Sequence, residues 1–314
     1  MKEARVMSGA VSARNLTIRH DYSWKEWLSL ILHLGKAKIS LFATLSTATG
    51  YLLASGSVTI HILVPTVAVW LLACGACALN QYQDRAIDQL MERTKSRPIP
   101  SGRLNPETAL SISFGLTLLG SLILLRGKDH LATGLGVFAV FWYILIYTPL
   151  KQRTAFATIP GALVGAIPPL LGWVSGGGSM LDPRIWGVAL FFFMWQVPHF
   201  WLLLLDHAGD YEKAGLPSIV RIFSSDQMRR ILFVWLLSTG VCGFSIPLFG
   251  FIRLPLVRYL LLVATLWFFW NAAHFFIHSQ RVALRSLFTK VNIYAFLVLF
   301  LLSFERLPSL TLRH

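Results

Sequence analysis

Asp84 and Asp88 stand four residues apart, and so do Asp206 and Asp210. On a helix that spacing places both carboxylates on one face, one turn apart. Each doublet closes a long apolar run, in a chain that has only 14 acidic residues. Paired carboxylates at a membrane boundary suit Mg²⁺, which is commonly held by one or two carboxylates together with substrate phosphate oxygens. The pattern points to Asp84, Asp88, Asp206 and Asp210 as metal ligands, and to an enzyme handling a diphosphate at a membrane surface.

The neighbours of both doublets fit that chemistry. Asn80 lies one turn before Asp84 on the same face and adds a neutral oxygen or an amide donor. After Asp88 comes a basic, turn-rich run from Met91 to Arg103, suited to closing over phosphates. Its Arg93, Lys95 and Arg97 are expected to bind diphosphate oxygens directly. Metal and cations together would stabilise the charge developing on a leaving diphosphate. A helix end with charges resting in the interface is the plainer explanation for one doublet. Two doublets on one side, each followed by basic residues, favour a site, because ionisable groups at membrane depth are expensive.

Near the second doublet, Lys213 shares the face of Asp210 if the helix continues. Tyr211 is either a phosphate or carboxylate partner or an interfacial tyrosine. Lys151 and Arg153 either contact the diphosphate or serve as cytoplasmic anchors. Of the histidines, His199 adjoins the second doublet and is a candidate substrate contact. His33 and the pair His274–His278 also sit in apolar runs, where a histidine can ligate a metal, bind haem iron or hydrogen-bond across helices.

These residues need elements to hold them. The chain has 314 residues, 55% hydrophobic and 13% charged, against about 25% charged in soluble domains. Nine apolar runs are readable, near residues 33–54, 60–83, 107–125, 131–149, 155–175, 184–205, 229–250, 256–278 and 288–304. The expected fold is an all-α polytopic membrane bundle of about nine helices. Residues 1–32 read as a polar, basic cytoplasmic extension without a signal-peptide core. Residues 33–305 form the transmembrane domain and 306–314 a short tail. With that count, 21 of the 28 Lys and Arg residues fall on the N-terminal side. This bias places the N-terminus in the cytoplasm and the C-terminus outside, as in a bacterial inner membrane, with both doublets on the cytoplasmic side. The net charge of +14 then reflects topology and an anionic partner, not nucleic acid. Three cysteines within apolar runs argue against a disulfide framework, and Cys74-Gly75-Ala76-Cys77 reads as a helix-packing segment. No Walker sequence or serine-triad signature is present.

Several runs of residues resemble the protoheme IX farnesyltransferases, within the wider family of intramembrane aromatic prenyltransferases. The strongest is Asn80-x-x-x-Asp84-x-x-x-Asp88 with Met91-x-Arg93-Thr94-x-x-Arg97-Pro98 and Ser101-Gly102. Others are Lys36-x-Lys38-Ile39-Ser40, Tyr147-Thr148-x-Leu150-Lys151-x-Arg153-Thr154, Gly165-Ala166-x-Pro168-Pro169, His199-Phe200-Trp201 and Asp210-Tyr211-x-x-Ala214-Gly215-x-Pro217. After Pro217 the chain departs from the family pattern, with Ser218-Ile219-Val220. The resemblance implies a central cavity open to the cytoplasmic side. It also implies Mg²⁺-dependent farnesyl transfer from farnesyl diphosphate to haem b, with water addition, giving haem O. Haem-biosynthesis or terminal-oxidase assembly proteins are the implied protein partners. A quinone-precursor prenyltransferase and, more remotely, a cation-coupled transporter are the alternatives; a transporter would hold its carboxylates near the midplane of interrupted helices.

Overall fold

The computed structural model describes residues 22–127, 129–278 and 283–306, and within them the chain is helical. The helices are α1 (Trp24–Leu34), α2 (Ala37–Ser55), α3 (Leu63–Leu90), α4 (Pro106–Arg126) and α5 (His130–Phe141). A π-helical stretch, Trp142–Tyr147, leads from α5 into the single turn α6 (Thr148–Leu150). Then come α7 (Thr158–Gly161), α8 (Leu163–Ser175), α9 (Pro183–Asp206), α10 (Ala208–Lys213), α11 (Ser225–Ser245), α12 (Pro255–Ile277) and α13 (Ala283–Phe304). Among the described residues, 8 helical segments are long and apolar enough to cross a bilayer, and α1 with α2, bent by 65°, would make a ninth. The protein is therefore a multi-pass integral membrane bundle.

The first span differs from the sequence expectation. Instead of one helix over 33–54, α1 starts well before it, on a reciprocal cap between Ser23 and Glu26, and stops at Gly35. Lys36 then takes a left-handed conformation (φ 47°), and α2 restarts at Ala37. α1 is amphipathic, with Trp24 and Leu28 exposed and Leu30 and Leu34 buried. Thus residues 24–32, read from sequence as part of the extension, are helical. The rest of that extension, residues 1–21, and residues 307–314 of the tail lie outside the described residues.

Without a hydrophobic drive between helices in lipid, packing depends on close approach of small residues. Gly50 of α2 and Gly172 of α8 provide it: a Cβ on Gly172 would lie 1.9 Å from the Thr47 carbonyl oxygen, and one on Gly50 2.0 Å from that of Pro169. Gly75 does the same for α3 on α4, where Ser113 donates its hydroxyl to the Gly75 carbonyl at 2.8 Å. The cysteines flanking Gly75 are buried and free. Polar backbone atoms released by prolines are also satisfied. Pro198 has no N–H for the Met194 carbonyl, and Thr239 of α11 donates its hydroxyl there at 3.0 Å. Glu305, after α13, accepts from the backbone N–H groups of Arg253 (2.7 Å) and Leu254 (3.2 Å), just before α12.

Gly172→Val should force α2 and α8 apart and destabilise the bundle by about 1–3 kcal/mol. Thermal unfolding in detergent would show a lowered midpoint; an unchanged midpoint would refute this reading of the contact.

Candidate active site

α3 continues to Leu90, past the point where hydropathy falls, so Asn80, Asp84 and Asp88 share one helix. Their exposures are 2%, 4% and 3%. Two carboxylates near the C-terminal, negative end of a helix oppose its dipole. They therefore require cations, and three separate elements bring basic or polar groups to them.

The loop after α3 brings Arg97, whose Nη1 donates to both oxygens of Asp88 at 2.9 and 2.7 Å. Buried Met91, Ile99 and Leu104 anchor this loop, and Tyr22 donates to the Arg103 carbonyl at 2.8 Å. The α5–α6 segment brings Lys151, which ion-pairs with Asp84 Oδ2. The π-helical stretch aligns this segment: Thr148 donates to the Tyr143 carbonyl at 2.8 Å and accepts from Asn80 Nδ2 at 3.2 Å. The break between α1 and α2 brings Lys36, whose Nζ donates to Asn80 Oδ1 at 3.1 Å. Asn80 in turn donates to Asp84 Oδ2 at 2.8 Å. The other oxygen, Asp84 Oδ1, is buried and accepts no hydrogen bond among the described residues.

The second doublet is built differently. α9 ends at Asp206, His207 leaves helical geometry, and α10 begins at Ala208, so Asp206 and Asp210 do not stack on one helical face. Asp210 accepts from the backbone N–H of Arg93 at 3.2 Å, which joins it to the loop after α3. Asp206 instead accepts from Arg285 Nε of α13, at 3.0 and 3.2 Å. The four carboxylates expected to form one metal cage thus separate into three settings. Among the described residues no three His, Cys, Asp or Glu side chains converge as a ready metal cluster.

The remaining expected residues scatter more widely. Lys95 pairs with Glu92 at 2.6 Å on the surface, and Arg93, Arg153 and Lys213 are exposed. Tyr211 packs against the main apolar core. His199 lies deeper in α9, bonded through Nδ1 to Asn292 of α13 at 2.7 Å. His33 bonds its own helix at the Ser29 carbonyl (2.8 Å), and His274 and His278 stack with ring centroids 4.7 Å apart at the end of α12. Lys36, Thr148, Arg285 and Asn292 were not among the expected site residues. For Lys36 the sequence did hold a signal, a lysine directly after Gly35 at the edge of an apolar run.

The sequence profile of the UbiA prenyltransferase family matches residues 43–301. A protoheme IX farnesyltransferase of Geobacter sulfurreducens is 38% identical over 224 residues, covering 70% of this chain and 81% of that protein. One of Bacillus licheniformis is 34% identical over 267 residues, 82% of each. Among solved structures, one concerning digeranylgeranylglyceryl phosphate synthase has a TM-score of 0.74 and 17% identity over 90% of this chain and 99% of its own. A UbiA homolog from Archaeoglobus fulgidus bound to GPP and Mg²⁺ has a TM-score of 0.61 and 12% identity over 87% and 99%. These structures share the fold of this chain.

The two members of the second doublet should behave unequally. In calorimetric titration with inorganic pyrophosphate and Mg²⁺, Asp210→Asn is expected to weaken binding by about 10–100-fold, the scale of one charged contact. Asp206→Asn, whose carboxylate is occupied by a solvent-exposed arginine, should weaken it by about threefold at most. Equal losses would contradict the separation of the two carboxylates.

Proposed function

We propose that this chain, which belongs to the UbiA prenyltransferase family, transfers the farnesyl group of farnesyl diphosphate to the vinyl group of haem b, giving haem O and diphosphate. The observation that carries the donor half of this reading is the buried array of Asp84, Asp88 and Asn80, faced by Lys36, Lys151 and Arg97. The acceptor half is supported by the relatives, which are named for protoheme IX.

The array fits a magnesium ion. Asp84 Oδ1 is a buried anionic oxygen with no hydrogen-bond donor among the described residues, and hard oxygen donors are what Mg²⁺ takes. Asp84 and Asp88 would hold the ion, with Asp210 supplied from across the loop; Asp206 drops out of the ligand set. When bound, Mg²⁺ supplies positive charge that favours departure of the diphosphate.

The chain's own residues do the rest. Lys36 and Lys151 lie beside the carboxylates and can turn to diphosphate oxygens as these arrive. Arg93, Lys95 and Arg97 sit on the loop after α3, where its backbone already meets Asp210. Arg153 and Lys213 add positive charge at the rim. Loss of diphosphate leaves an allylic cation, the vinyl carbon attacks it, and water adds to the cation formed next to the macrocycle, giving up a proton to the released diphosphate. The apolar interior must exclude water until the carbon–carbon bond exists. No general base is needed, because the reaction is governed by where charge is stabilised.

The bias of basic loops supports a cytoplasmic N-terminus and an outer C-terminus in a bacterial inner membrane. The product would pass to haem-biosynthesis or oxidase-assembly proteins.

Purified protein in detergent with Mg²⁺, farnesyl diphosphate and haem b should give a product heavier than haem b by farnesyl plus water, read by mass spectrometry. Asp84→Asn should slow this turnover by about 100-fold or more while the thermal midpoint is retained. Unmodified haem, with Mg²⁺-dependent farnesyl diphosphate binding intact, would move the assignment to another aromatic acceptor.

A further inference from the structure

His199 is the polar exception in an aromatic row that crosses the bundle from α2 to α13. Phe42 lies 4.9 Å from Trp195, Trp195 5.0 Å from His199, and His199 4.9 Å from Phe288, between ring centroids. The histidine stands seven residues before the end of α9, about 10 Å along the helix. Its orientation is determined from behind. Asn292 donates its amide Nδ2 to the Phe288 carbonyl at 2.7 Å, so its oxygen faces the imidazole. An amide oxygen can only accept, so His199 Nδ1 carries the hydrogen across the 2.7 Å contact. The lone pair is thereby confined to Nε2. That atom bonds to nothing among the described residues and is not fully enclosed. The residue is half-buried.

A neutral imidazole with Nδ1–H held by an amide oxygen and Nε2 left open, between flat apolar rings, is a ready iron ligand. We infer that His199 Nε2 binds the iron of the haem acceptor axially, and that Asn292 is the positioning residue that fixes this tautomer. The inference rests on the proposed function and adds to it: the macrocycle is held by its metal against α9 and α13. Phe288 and Trp195 brace the imidazole on the histidine side of the macrocycle.

The test is haem b titrated into the full-length protein in detergent, followed by absorption and by resonance Raman of the reduced complex. Wild type should show an iron–imidazole stretch. His199→Gly should lose it and regain it on adding free imidazole. Asn292→Leu should weaken haem affinity by about 10–100-fold and shift that stretch, whereas Asn292→Gln should restore much of both. A purely structural role for Asn292 would lower the thermal midpoint without moving the stretch. If wild type forms haem O but His199→Gly leaves the iron spectrum unchanged, this ligation is wrong and the farnesyl transfer stands. If wild type neither binds nor farnesylates haem b, both fall.

Discussion

Two carboxylates buried in a membrane bundle govern this molecule. A buried charge left alone is heavily penalised, and a paired one is tolerated only when its geometry and hydrogen bonds are good. Asp84 and Asp88 meet that condition through groups from three separate stretches of sequence: Lys36, Arg97, and Thr148 with Lys151. The helix break at Gly35, the folded loop after α3 and the irregular helix before α6 are each understandable as ways of delivering those groups. None of the three would be favoured by the local chain alone.

The cations around the carboxylates are engaged within the protein itself. Lys151 pairs with Asp84, and under the proposed function the same ammonium would also face the diphosphate. The same logic separates the members of the second doublet. Asp210 bonds to the loop that carries Arg93. Asp206 is tied to α13 through Arg285 and steadies the bundle rim. Identical spacing in sequence therefore gives different duties.

What sequence revealed here was local and chemical. Carboxylates interrupting an apolar run pointed to the end of α3, and the apolar runs themselves gave the order of the spans. What it hid has physical causes. Hydropathy falls at Asp84, but the helix continues to Leu90, because helix continuation depends on backbone bonds and packing, not apolarity. A spacing of four means one face only on an unbroken helix, and His207 breaks it. Averaging over the basic extension obscured α1, although Ser23 and Glu26 already spelled its reciprocal cap. The partners Arg285 and Asn292 lie 79 and 93 positions from Asp206 and His199, beyond the reach of any local pattern.

The π-helical stretch Trp142–Tyr147 holds one residue more per hydrogen-bonded turn than an α-helix would. Each residue of an α-helix turns the chain by about 100°. The surplus residue therefore works as an angular setting, dialling Thr148 and Lys151 to face Asn80 and Asp84. Length is the sensitive variable in this segment: losing a single residue anywhere within it would swing the lysine away from the carboxylate, while many exchanges of side chain would leave the dial where it is.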